Sequence, residues 1–135
     1  MKSPHLLRVT LPADRFAALI EAARVLKLRI GWLDWSAESP ASALDGAADL
    51  GVHRAVSVHE GRTVAVKPLR GRPVLKDLLR EHFLGCALVL VRGDVDAPSL
   101  EPDGDGWRLE LPESASRRFT TAELSEALRK PRPWG

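Results

Sequence analysis

The sequence predicts an α/β or α+β fold, with a single mixed sheet covered by helices. Three observations predict it. The run CALVLV, Cys86 to Val91, is apolar at every position, as in a strand buried on both faces. The segments RAVSVH and RTVAVK, on either side of Glu60 and Gly61, alternate with period two, as strands with distinct faces do. Apolar residues recur at helical spacing at Phe16, Leu19, Ile20 and Ala23, and again at Val74, Leu75, Leu78, Leu79 and Phe83.

Taken in order, His5 to Leu11 (HLLRVTL) reads as a first strand stopped by Pro12, and the first helical stripe spans about Ala13 to Leu28. Ile30 to Trp35 (IGWLDW) reads as a second strand. Ser39 and Pro40 suit the cap and first turn of a short helix to about Leu50, ended by Gly51. The alternating pair predicts a β-hairpin over about 54–67. A three-residue loop, His59-Glu60-Gly61, would put Val56, Val58, Val64 and Val66 on one face, with Gly61 in the left-handed conformation. Pro73 suits the first position of the next helix and Gly85 its end.

The strand CALVLV follows and is expected at the centre of the sheet. A polar loop, GDVDAPSLEPDGDG, then leads to the strand WRLEL. In RRFTTAEL, Thr120 and Glu123 fit a reciprocal capping box, with Phe119 and Leu124 as the hydrophobic staple. Leu124 and Leu128 should face inward, and Pro131 should end the helix. KPRPWG is expected to be a flexible basic tail.

The 135 residues suit one globular domain over 1–135. With 44% apolar residues but only 4 Trp, 3 Phe and no Tyr, aliphatic packing must carry the core. The single cysteine, Cys86, excludes an internal disulfide framework and fits a reducing compartment, so a cytoplasmic location is expected. Arg8 interrupts the apolar start of MKSPHLLRVTLP, which does not read as a signal peptide. The longest apolar run is far below the ~18 residues of a membrane span.

Net charge is +2, but its distribution is uneven. Arg62 to Arg80 holds six basic residues and one acid, whereas Asp94 to Ser116 holds seven acids and one base. The centre of the basic stretch is KPLRGRP, between a strand and a helix. If Thr63–Lys67 and Ala87–Val91 run parallel, a βαβ unit over about 63–91 places this bend at the carboxyl edge of the sheet, where ligands bind. The following helix N-terminus favours an anion. The candidate anion-binding residues are therefore Lys67, Arg70, Gly71, Arg72 and Lys76, and the ligand class is a phosphate-bearing molecule or a nucleic acid. The alternative partner is a second copy of the chain, with the basic bend of one subunit on the acidic loop of another.

Catalytic signatures fail one by one. Neither phosphate-cradling glycine motif is present. His53 and His59 flank Ser57 on one strand face but lie about 20 Å apart, too far to share a metal. HEGRT has Thr63 where a zinc-protease motif needs its second histidine. Glu101, Asp103, Asp105 and Gly106 imitate the start of a calcium loop, yet Pro112 occupies the twelfth position, so a turn is expected. Cys86 reads as a buried thiol, near His82 in sequence, and Trp32 and Trp35 around Asp34 read as packing. No cofactor or metal is indicated, and the balance leans away from an enzyme.

A hairpin followed by a helix and a strand, with Lys67 near the end of the second hairpin strand, resembles the core of metal-dependent nucleases that carry a D…E-x-K pattern. Ala65 stands where that pattern has its metal-binding acid. The resemblance therefore implies a nuclease-like fold without the activity.

Overall fold

The computed structural model of the chain describes residues 3–34, 55–66, 69 and 71–134. The elements are β1 (His5–Val9), a 3-10 turn (Ala13–Phe16) running into α1 (Ala17–Val25), β2 (Ile30–Asp34), β3 (Ala55–His59), β4 (Arg62–Val66), α2 (Leu75–His82), β5 (Leu88–Arg92), β6 (Ser99–Asp103), β7 (Gly106–Glu110), β8 (Arg117–Phe119) and α3 (Thr121–Ala127). Trp35 and the short helix expected before Gly51 lie outside the described residues. The chain divides into two compact units, Met1–Ser36 with Lys76–Gly135, and Ala37–Leu75.

The larger unit is built on one mixed six-stranded sheet in the order β2-β5-β1-β6-β7-β8, in agreement with the α/β or α+β expectation. Its first four strands are parallel, β7 runs antiparallel to them, and β8 pairs antiparallel with β7 and so returns to their direction. Apolar Leu88, Val89, Leu90 and Val91 are fully buried, and β5 has a parallel partner on each side. The strand read from CALVLV is thus interior and paired on both sides, but it lies second from the β2 edge rather than at the centre of the sheet. One face of the sheet collects Leu7, Val9, Leu88, Leu90, Leu100, Trp107, Leu109 and Phe119 against Phe16, Leu19, Leu124 and Leu128 from the helical segments. Burying such side chains contributes about 1.5–3 kcal/mol each before the entropy of ordering them is subtracted. Phe16 stacks on Trp107 with centroids 5.6 Å apart, and the Trp107 indole N–H donates to Thr121 Oγ1 at 2.9 Å.

The smaller unit contains the hairpin, whose register differs from expectation. His59 pairs with Arg62 across a two-residue turn, with Glu60 at φ 47° and Gly61 at φ 74°. Two consecutive left-handed residues make a type I′ turn, whose twist matches that of the flanking strands. The valines therefore split. Val56 and Val58 face Ala65 and Thr63, while Val64 and Val66 lie on the opposite face.

The βαβ unit expected over about 63–91 is not formed. β4 pairs with β3 in a separate two-stranded sheet, and the parallel partners of β5 are β1 and β2. The physical reason lies in patterning. A parallel strand covered on both faces needs apolar residues throughout, as in LVLV, whereas RTVAV alternates and exposes Thr63, Val64 and Ala65. The connection that does cross the sheet runs from β1 through α1 to β2, with β5 inserted between them. The nuclease-like arrangement, which needs the hairpin in one sheet with the following strand, loses its basis.

Two strands arise where the sequence reads as loop. SLEPD is β6 and pairs along β7, and Arg117–Phe119 is β8. In the C-terminal segment, Trp134 packs on the core, its ring lies 5.6 Å from that of His5, and its carbonyl accepts from Arg117 Nη1 at 3.1 Å. No helix among the described residues is long and apolar enough to cross a membrane.

Candidate anion-binding site

Lys67 and Arg70 lie outside the described residues. Gly71 adopts φ 76°, a left-handed conformation that glycine reaches without steric cost, so the chain turns at the position picked from KPLRGRP. Gly71 and Arg72 are exposed and belong to the smaller unit. Lys76 is the second residue of α2, in the larger unit, and is exposed. Pro73 stands two residues before the first helical position rather than on it, and Asp77 already places a carboxylate in the first turn. Because β4 is not part of the parallel sheet, the sheet-edge argument for the bend does not apply, and its own charge remains.

That charge is uncompensated at the described positions. Among the described residues no ion pair involves Arg62, Arg72, Lys76 or Arg80. The acidic stretch behaves differently, because arginines of its own sheet meet its carboxylates. Arg108 reaches Glu101 at 2.9 Å and Glu110 at 3.5 Å. Arg118 reaches Asp103 at 3.4 Å and Asp105 at 3.3 Å, and Arg8 reaches Asp94 at 3.5 Å. Glu101, Asp103 and Asp105, the imitation of a calcium loop, thus sit on the β6–β7 hairpin with arginine partners. No group of His, Cys, Asp or Glu among the described residues is placed to hold a metal ion.

The remaining candidates separate in space. His82 Nε2 lies 3.9 Å from a Glu81 carboxylate oxygen. Cys86 instead lines a cavity of about 600 Å³ with His5, Leu28 and Lys130, at the end of the larger sheet where the parallel strands begin. His5 Nε2 is 3.1 Å from the Lys130 carbonyl, so that nitrogen carries the donated hydrogen. The cavity brings an imidazole and a thiol to one surface, which neither residue's surroundings in sequence indicate.

Arg8 is the positioned side chain that the sequence reading passed over. It appears there only as the charge that breaks an apolar run. Near the carboxyl end of β1, its Nε and Nη2 donate to Ser99 Oγ at 3.2 and 3.0 Å, and its Nη1 faces Asp94. It thereby ties the connection between β5 and β6 across the end of β1, beside a cleft of about 280 Å³ shared with Asp96 and Glu110. The legible signal was an arginine within an otherwise apolar strand. No known family model matches the chain, and no curated protein matches it.

Proposed function

We propose that the protein is a non-catalytic cytoplasmic binding module for phosphate-bearing anions, engaged through the basic residues of the smaller unit, from Arg62 to Arg72. The observation that supports this reading is the contrast in charge pairing. Five of the seven acids of the following stretch are met by Arg8, Arg108 and Arg118, while among the described residues Arg62 and Arg72 stand exposed without ion pairs, as do Lys76 and Arg80 of the larger unit. Exposed cations repel one another and hold small mobile anions, so a polyanion that displaces those ions gains free energy by binding. Self-association through bend and acidic loop is the weaker reading, since it exchanges existing arginine contacts for equivalent ones.

The test is titration with a labelled single-stranded oligonucleotide and, separately, with pyrophosphate. Binding of both at 50 mM salt is expected. If about four phosphates of the oligonucleotide are engaged, raising the salt to 200 mM weakens its binding on the order of 50-fold. Arg62→Glu with Arg72→Glu should remove most of the affinity for both. Absence of binding of either probe at 50 mM salt overturns the reading.

A further inference from the structure

We infer that the cavity at the amino end of the larger sheet binds a small carboxylic acid with an apolar body. The inference stands apart from the anion-binding reading, because every residue lining this cavity belongs to the larger unit. Its floor is made where the parallel strands begin. The His5 N–H donates to the Ala87 carbonyl at 2.9 Å and the Ala87 N–H to the Arg29 carbonyl at 2.8 Å, which ties the entries to β1, β5 and β2 together. Leu28, from the turn after α1, and Leu128, the C-cap of α3, close the sides.

The C-terminal segment forms the remaining wall, and several contacts fix it. The His5 ring donates through Nε2 to the Lys130 carbonyl at 3.1 Å and meets the Trp134 ring edge-on. The Lys130 N–H in turn donates to the Ala127 carbonyl at 3.0 Å. The space enclosed is about 600 Å³, within the ~300–1,000 Å³ range of small-molecule sites, which combine apolar walls with a few polar groups.

The lining selects the chemistry of the ligand. Leu28, Ala87, Leu128 and Pro131 offer hydrocarbon, and Arg129 and Lys130 offer positive charge. Among the described residues no Asp or Glu lines the cavity. Arg129 already faces Glu126 at 3.4 Å. Lys130 is exposed and, among the described residues, has no ion pair, so one cation is left for a ligand. A single free cation beside hydrocarbon is complementary to one negative charge carried on an apolar body, which a carboxylic acid supplies. A phosphate, with about two charges and three acceptor oxygens, asks for more donors than Lys130 provides.

The experiment uses the full chain and sodium octanoate at 50 mM salt. Binding is read by calorimetry and by the rate at which neutral iodoacetamide alkylates Cys86, the chain's single cysteine, which lines the cavity. Octanoate should bind and slow the alkylation in proportion to occupancy. From butanoate to octanoate, each added methylene should tighten binding about two- to fourfold. Octylammonium should bind at least about tenfold more weakly than octanoate. Lys130→Glu leaves in place the backbone carbonyl that His5 meets, and it should weaken octanoate at least about tenfold with an unchanged circular dichroism spectrum. Lys130→Met, which keeps an apolar stem, should weaken it by a smaller factor and carries the same test if the Glu variant does not fold.

Octylammonium as tight as octanoate, affinity independent of chain length, undiminished alkylation of Cys86 at saturating octanoate, or unchanged affinity in both Lys130 variants overturns the inference. Pyrophosphate that competes with octanoate also overturns it, by making the cavity a phosphate site. Octanoate binding without pyrophosphate binding sinks the reading of the smaller unit alone, and the converse sinks the carboxylate site alone.

Discussion

Lys27 holds a backbone conformation that glycine holds more easily. It sits just past α1 at φ 60°, with its own N–H on the Arg24 carbonyl at 2.9 Å and the Leu28 N–H on the Ala23 carbonyl at 2.9 Å. Those two bonds form a Schellman motif, in which the left-handed position is usually glycine. A side chain there costs about 1–2 kcal/mol, offset in part by the lower entropy of the unfolded chain relative to glycine. Lys27 is exposed, so nothing of its side chain is needed for packing. Lys27→Gly should therefore raise stability by about 1 kcal/mol, read as a higher urea midpoint at unchanged slope. Lys27→Ala should give no such gain, and equal gains from both would assign the effect to the side chain rather than to φ. A second residue shows what sequence hides. Gly31 carries no signal of its own within IGWLDW, yet a Cβ there would lie 2.5 Å from the Phe83 ring, which packs over it. The requirement is set by a residue more than fifty positions away, so no local pattern announces it.

α3 is the element whose start was most legible, because both halves of its cap lie within four residues. Thr120 Oγ1 accepts from the Glu123 N–H at 3.1 Å, and a Glu123 carboxylate oxygen accepts from the Thr120 N–H at 2.9 Å. Thr120→Ala should cost about 1 kcal/mol in denaturant unfolding. The Thr120 backbone N–H, and secondarily its hydroxyl, hold the Glu123 carboxyl below its ordinary value of 4.5. A lowered folded-state value means that the stabilisation is full above 4.5 and is lost as pH falls through the folded value. Glu123→Gln should accordingly flatten the fall in stability on acidification below pH 4.5, and an unchanged slope would show that other carboxylates dominate. β6 and β8 were illegible for the opposite reason. SLEPD contains a proline and RRF two arginines, and each becomes a strand only because β7 supplies its partner. β1 bridges β6 only at Ser99, so Pro102 lies beyond that pairing, in a strand position that tolerates a missing N–H.

Across the whole molecule, which strands exist could be read more easily than which strands pair. CALVLV announces a doubly covered strand, but its insertion between β1 and β2 depends on apolar faces meeting over long separations in the chain. The hairpin is adjacent in sequence to α2 and β5 and so suggested a crossover unit, yet its alternating pattern leaves Val56, Val58 and Val64 each at least half exposed. The two charged stretches were equally visible, while the arginines that pair with five of the seven acids come from strands before, within and after the acidic one. This division predicts an uneven distribution of stability. β5 amides, with partners on both sides and fully buried side chains from Leu88 to Val91, should exchange with solvent only by global unfolding of the larger unit. The β3–β4 hairpin has, among the described residues, one strand-to-strand ladder, with Val56, Val58 and Val64 exposed, and a two-stranded sheet alone is marginal in water. Amides of Val56 to Ala65 should exchange at least about 100-fold faster than those of β5 in the free protein. Hairpin amides as slow as those of β5 would instead mean that the valine faces are covered and that the two strands do not open independently of the larger unit.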